Sequence, residues 1–114
     1  MKITSFEDII AWQKAKELTI HIYSIFNDSR DYGFKDQIQR ASVSIMNNIA
    51  EGYETGTNKH FKHFLFIAKA SSGEVRSMLI LVKEIGKINQ EDFDKLYNLS
   101  VEISKIISGL IKTL

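Results

Sequence analysis

The sequence contains no cysteine and no proline, and only six glycines in 114 residues. Without cysteine there is no disulfide framework and no thiolate chemistry. Without proline every helix-interior N–H remains available as a donor, and with so few glycines little interrupts a long helix. No apolar run reaches the roughly 18 residues of a membrane span. The opening stretch, MKITSFEDII, meets Glu7 and Asp8 too early for a secretory signal. These absences predict a cytoplasmic protein with no membrane contact. A strong excess of one charge is missing too: the formal net charge is +1, so the global signature of a nucleic-acid binder is lacking. Strand patterns, internal repeats and low-complexity tracts are also absent.

What is present is an ordinary globular composition, 44% hydrophobic and 25% charged. A chain of 114 residues makes one domain, 1–114, that buries about 65% of its unfolded surface. Four helices are predicted, at about 5–27, 34–54, 59–85 and 90–113. The first starts with a capping box, either Thr4 with Glu7 or Ser5 with Asp8. Its apolar stripe is Ala11, Ala15, Leu18, Ile22 and Ile25. The second carries Ile38, Ala41, Ile45 and Ile49, and a short break, TGTN, follows it with Asn58 as the expected cap of the third. The third has two stripes: Phe61, Leu65, Ala68, Ser72, Val75, Leu79 and Val82, and beside it Phe64, Ile67, Ser71, Met78, Leu81 and Ile85. So wide an arc predicts burial on two sides. Gly86 suits its C-terminal cap. Asn89 caps the fourth, which steps through Phe93, Leu96, Ser100, Ile103, Ile107, Leu110 and Leu114. Short joints make neighbouring helices antiparallel, so the expected fold class is all-α, an up-down-up-down four-helix bundle.

The second helix carries a polar face that a plain amphipathic helix would not need. Gln37, Arg40, Ser44, Asn48 and Glu51 step by three and four residues along it, with Asn47 beside them. Ser and Asn compete for backbone groups and are poor helix-interior choices. Ser71 and Glu74 interrupt the second stripe of helix 3 in the same way. Buried polar groups without partners cost roughly 1–3 kcal/mol each, so the two faces are expected to satisfy each other, with Arg40 pairing to Glu74 or Glu51 of its own or a neighbouring chain. The chemistry of such a network is structural. A catalytic reading needs a nucleophile with its base or paired acids in a cleft, and Ser44 with Glu51 offers neither. Metal binding is not expected: His60 and His63 stand one turn apart, but no Glu-x-x-His motif exists for a di-iron bundle. No Gly-rich phosphate loop is present, so no cofactor and no small-molecule substrate are predicted.

Charge is uneven along the chain. Residues 58–88 hold six Lys or Arg against two Glu. Lys62, Lys69, Arg76 and Lys83 recur at seven and Lys87 follows, a stripe about 37 Å long at 1.5 Å per residue. The stripe is a candidate nucleic-acid contact; a solvated outer face is the alternative.

The motifs Gln37-Ile38-Gln39-Arg40-Ala41, Ser44-Ile45, Asn48-Ile49-Ala50-Glu51-Gly52, and then Phe64-Leu65, Ala68, Ser71 and Glu74 resemble the four-helix-bundle proteins encoded in 23S rRNA intervening sequences. DIIAWQKA, residues 8–15, resembles that family's opening. The resemblance implies a ring-like homo-oligomer, a homopentamer, and no established biochemical activity. A similar protein, the accessory variability determinant of diversity-generating retroelements, implies nucleic acid, RNA or DNA, or a nucleic-acid enzyme as further partners. The chain departs from the family pattern at Met46, where the family often has proline, and in Glu54-Thr55-Gly56-Thr57, where a basic residue is usual.

Overall fold

The computed structural model describes residues 2–114. A 3-10 turn, Phe6–Asp8, leads into four helices: α1 (Ile10–Phe26), α2 (Tyr32–Glu54), α3 (Asn58–Glu84) and α4 (Gln90–Lys112). α3 has 27 residues, about 40 Å at the standard rise, and so runs nearly the length of a molecule that measures 43 × 22 × 19 Å. Each helix packs on the two beside it, in the cycle α1–α2–α3–α4.

The start of the chain resolves the choice of capping box. The Asp8 carboxylate accepts from the N–H of Ser5 at 3.2 Å and from the N–H and hydroxyl of Thr4, both at 3.0 Å. That cap closes the 3-10 turn and not α1. Ile9 is extended after it, and α1 begins only at Ile10, later than the periodicity implies. The joint between α2 and α3 also differs by one residue. Thr57, not Asn58, is the N-cap, its hydroxyl accepting from the His60 N–H at 3.3 Å. Thr57 has the extended backbone of a cap (φ −123°, ψ 145°), which suits a β-branched residue. At the far end of α3, Gly86 has φ +73°. There the Gly86 N–H reaches the Lys83 carbonyl and the Lys87 N–H reaches the Val82 carbonyl, the paired bonds of a Schellman ending that needs a left-handed residue.

The core is one seam of side chains from all four helices, with Leu18, Ile22, Ile38, Ile45, Ile49, Leu65, Leu79, Leu96, Ile103 and Ile107 fully enclosed. In α4 the last buried position is Ile111, with Leu110 and Leu114 half-buried, because 3.6 residues per turn drifts off a strict three-four alternation. The second stripe of α3 is not buried throughout. Met78 is enclosed and Phe64 and Ser71 are half-buried, but Ile67, Leu81 and Ile85 are exposed at 38%, 53% and 54%. The four buried polar side chains settle locally: Thr19 donates to the Ala15 carbonyl, Ser42 to Gln39, Ser100 to Tyr97 and Ser72 across to the Ser100 carbonyl. Among the described residues no buried side-chain nitrogen or oxygen lacks a partner.

At Gly52, α2 lies tight against the start of α3. A Cβ there would lie 2.6 Å from the Phe64 Cβ and 3.1 Å from Phe61 Cδ1. The first of these is anchored to backbone, so the helices themselves would have to part. Gly109, on the exposed face of α4, meets nothing within 4 Å. Gly52→Ala is therefore expected to lower stability by about 1–3 kcal/mol, whereas Gly109→Ala raises it by roughly 0.5–1 kcal/mol through helix propensity. Urea denaturation of the two variants beside the parent checks the opposite signs.

Two groups at the ends of the pH scale report on local contacts. The Thr4 N–H, then the Thr4 hydroxyl and the Ser5 N–H, hold the Asp8 carboxyl below its ordinary value. Its contribution is present above the ordinary carboxylate range and disappears as pH falls through the lowered value. Lys14 donates to Glu102 at 2.6 Å, joining α1 to α4, and that hydrogen bond and charge hold its ammonium above the ordinary value. Its contribution is complete below the ordinary lysine value and disappears as pH rises through the raised one. Melting temperature against pH should show an acid loss that Asp8→Asn diminishes and an alkaline loss that Lys14→Met diminishes.

Candidate functional site

Two polar clusters lie between helices, one on each side of α3. The first joins α2 to α3. The Ser44 and Ser71 hydroxyls lie 2.9 Å apart. Asn48 Nδ2 donates to the Ser44 carbonyl at 2.8 Å and to the Ser44 hydroxyl at 3.0 Å. Gln37 Nε2 donates to Glu74 at 3.3 Å. Positions that rise along α2 (37, 44, 52) thus meet positions that fall along α3 (74, 71, 64). The helix-interior asparagine and serine of α2 have partners here: their polar atoms bond to one another and to α3 at a half-buried seam.

Arg40 does not join that cluster. Its Nε donates to Asp36 at 2.9 Å, one turn back on the same helix, with both side chains largely exposed. A pair four residues apart on one helix forms without crossing a groove, and Glu74, the expected partner, is bound by Gln37. Glu51 is exposed and lines, with Tyr23, Arg40, Ser44, Asn47 and Asn48, an open depression over α2.

The second cluster joins α3 to α4, and periodicity hid it because Ser72 and Ser100 occupy apolar stripe positions. Ser72 donates to the Ser100 carbonyl at 3.0 Å, and the Ser104 hydroxyl reaches Ser72 Oγ at 3.0 Å. Arg76 Nη1 lies over this group, donating to Ser104 Oγ at 2.6 Å, Ser72 Oγ at 3.2 Å and the Ser100 carbonyl at 3.4 Å. The four-residue spacings Ser72-x-x-x-Arg76 and Ser100-x-x-x-Ser104 stand in the sequence, but only the pairing of α3 with α4 reveals that they bind each other.

The basic stripe therefore divides. Lys62 and Lys69 are exposed. Arg76 is half-buried and turned onto α4. Lys83 Nζ lies 4.4 Å from the Phe93 ring centroid, a cation–π contact. Lys87 lies beyond the end of α3, past the left-handed Gly86, so it leaves the helix face it was expected to share. Among the described residues none of these five cations pairs with a carboxylate.

His60 accepts or shares a hydrogen with the Thr57 hydroxyl at 2.7 Å, and His63 meets the edge of Phe64. His21 lies 3.8 Å from Glu17 on its own helix. Among the described residues no group of three or more His, Cys, Asp or Glu side chains gathers to hold a metal ion, and no helix is long and apolar enough to cross a membrane. A cavity of about 430 Å³ opens at one end of the bundle, walled by Ile25, Phe26, Phe34, Val82 and Ile85. Asp28, Ser29, Arg30, Asp31 and Lys87 complete its lining.

Known proteins give these features a setting. A protein of unknown function from the S23 ribosomal protein family of Bacteroides thetaiotaomicron, known from its crystal structure, superimposes with a TM-score of 0.84. The two share 27% sequence identity over 90% of this chain and 99% of that one. No curated protein matches the chain. The profile of the 23S rRNA-intervening sequence proteins matches residues 7–109, and with nearly the whole chain covered, the protein belongs to that family.

Proposed function

We propose that this protein is a non-enzymatic, cytoplasmic scaffold that works as a ring-like homo-oligomer, its four helices running antiparallel, up-down-up-down. The observation that carries this reading is the apolar surface the single chain leaves uncovered. On one flank of α2 stand Ile20 and Tyr23 of α1, exposed at 59% and 46%; on the other stand Ile67, Leu81 and Ile85 of α3. The polar outer face of α2 separates them. Two different patches on opposite flanks suit a head-to-tail contact, which closes into a ring when the rotation permits. Five as the number of subunits rests on the family likeness. The falling register of α3 against α2, and the Ser72–Ser104 and Lys83–Phe93 contacts against α4, support the antiparallel arrangement. The non-enzymatic reading draws on the clusters themselves: hydroxyls, amides and an arginine that bind one another, without a nucleophile–base pair.

Light scattering of the purified chain tests the assembly. A multimer is expected for the parent. The double substitution Ile67→Glu with Leu81→Glu places charge in the contact and should yield monomers of unchanged helicity by circular dichroism. A monomeric parent sinks the proposal.

A second reading, nucleic-acid binding by the basic face of α3, is favoured by the absence of carboxylate partners around its cations. Labelled structured RNA and duplex DNA, followed by fluorescence anisotropy at low and near-physiological salt, should show binding that weakens steeply with salt. Lys62→Glu with Lys69→Glu should weaken it at least tenfold, a change of about 1.4 kcal/mol. Unchanged binding removes α3 as the contact.

A further inference from the structure

The pairing of α3 with α4 assembles a surface that neither helix carries alone. α3 has no Asp or Glu between Asn58 and Gly73, and α4 has none after Glu102. The Ser72–Ser104 bond sets these two acid-free stretches side by side. Ser72 meets Ser104 while Lys83 meets Phe93, so positions before Ser72 stand beside positions after Ser104. Lys69 and Lys62 therefore stand against the stretch that holds Lys105 and Lys112. All four are exposed, and among the described residues none has a carboxylate partner. The opposite end differs. There Lys83 and Lys87 face the start of α4, with Glu91, Asp92 and Asp94, and their charge is offset.

An aromatic ring stands at the edge of the lysine row. Phe66 is 52% exposed. It follows Lys62 by four residues and precedes Lys69 by three, the spacing of direct neighbours on a helix surface. An exposed ring beside a row of unpaired cations matches how single strands are held, with bases stacked on aromatics and phosphates against lysines. It does not match an acidic peptide, for which the ring would supply nothing beyond area. Of the apolar flank proposed for self-association, Ile67 lies about 100° around α3 from Phe66 and Leu81 about 60°, so the two surfaces adjoin without sharing a residue.

We infer that α3 and α4 together form a docking surface for single-stranded nucleic acid, with Lys62, Lys69, Lys105 and Lys112 holding the backbone and Phe66 stacking on a base. The inference rests on the nucleic-acid reading of α3 but moves its centre: α4 lysines enter, and Lys83 and Lys87 leave.

The test uses the full chain and a labelled oligouridylate of about 12 nucleotides, within the span such surfaces cover, with a duplex of equal length beside it. The single strand is expected to bind more tightly. Phe66→Ala should weaken it about tenfold and Phe66→Trp should preserve it. Lys105→Glu with Lys112→Glu should weaken both ligands and flatten the salt dependence. Light scattering of every variant should match the parent. Binding untouched by the α4 substitutions but lost in Lys83→Glu with Lys87→Glu overturns this surface while leaving nucleic-acid binding intact. No binding by the parent at low salt overturns both. Displacement of the strand by polyglutamate at equal charge, or loss of assembly in Phe66→Ala, also overturns it: the first makes the face a generic acid binder, the second a subunit contact.

Discussion

The tight crossing of α2 over α3 at Gly52 is the constraint from which the rest of the bundle is set. With Phe64 Cβ only 2.6 Å from where a side chain would begin, no larger residue fits without moving a helix. The joint that follows is short, Thr55 to Thr57, and turns on a left-handed Gly56. A close crossing next to a short turn leaves the two helices little freedom to slide. The hydroxyl pair Ser44–Ser71, about two turns away, depends on that: at 1.5 Å of rise per residue, a slip of one residue separates groups that now lie 2.9 Å apart. The motif Asn-Ile-Ala-Glu-Gly thus combines at Asn48 the side chain that holds the Ser44 hydroxyl one turn back on α2, core at Ile49 and the contact point with α3 at Gly52.

Apolar seams alone tolerate sliding, because one methyl group replaces another at similar energy. The polar clusters on either side of α3 supply what the seam lacks. Each hydroxyl there bonds to a specific partner, and a shift leaves it buried and unpaired at a cost of roughly 1–3 kcal/mol. Arg76 makes the α3–α4 pairing the stricter of the two. A half-buried cation has three acceptors at one nitrogen, and a slip of one residue brings Ile103 or Lys105 to the place of Ser104.

The helices were legible in the sequence because periodicity is local: Ile38, Ala41, Ile45 and Ile49, for example, are all buried. Asn89 was legible as a cap for the same reason, accepting the Asp92 N–H at 2.7 Å. The misreadings came where two local options compete or where a partner lies across a groove. Thr57 and Asn58 both can cap, and backbone conformation decides. Within the chain Arg40 bonds to Asp36, one turn back on its own helix. Of the α2–α3 network, Ser44, Asn48 and Ser71 join as their spacing suggests, and Gln37 reaches Glu74, while Arg40 and Glu51 remain at the rim. Arg76 belonged by spacing to a surface stripe, yet its guanidinium turns to the Ser104 hydroxyl, 28 residues away in sequence. Separation of that size carries no periodic signal.

The division of α3 into sectors explains how one helix can serve two proposed purposes. Its inner side is core, its sides bind α2 and α4 through hydroxyls, and its outer surface splits into an apolar flank toward α2 and a cationic one toward α4. Successive residues Phe66 and Ile67 fall on different flanks because each step turns the helix by about 100°. If subunits join through the apolar flank, every copy keeps its cationic flank open. A single flank of four lysines and one ring would bind a strand weakly at physiological salt, since each phosphate contact is screened. Repetition around a ring changes that: once one flank is bound, the same strand meets the next at high effective concentration, and linked weak contacts can gain 10²–10⁴-fold by about this mechanism. Assembly would then be what turns a marginal surface into a functional one, which ties the two readings of the molecule together physically.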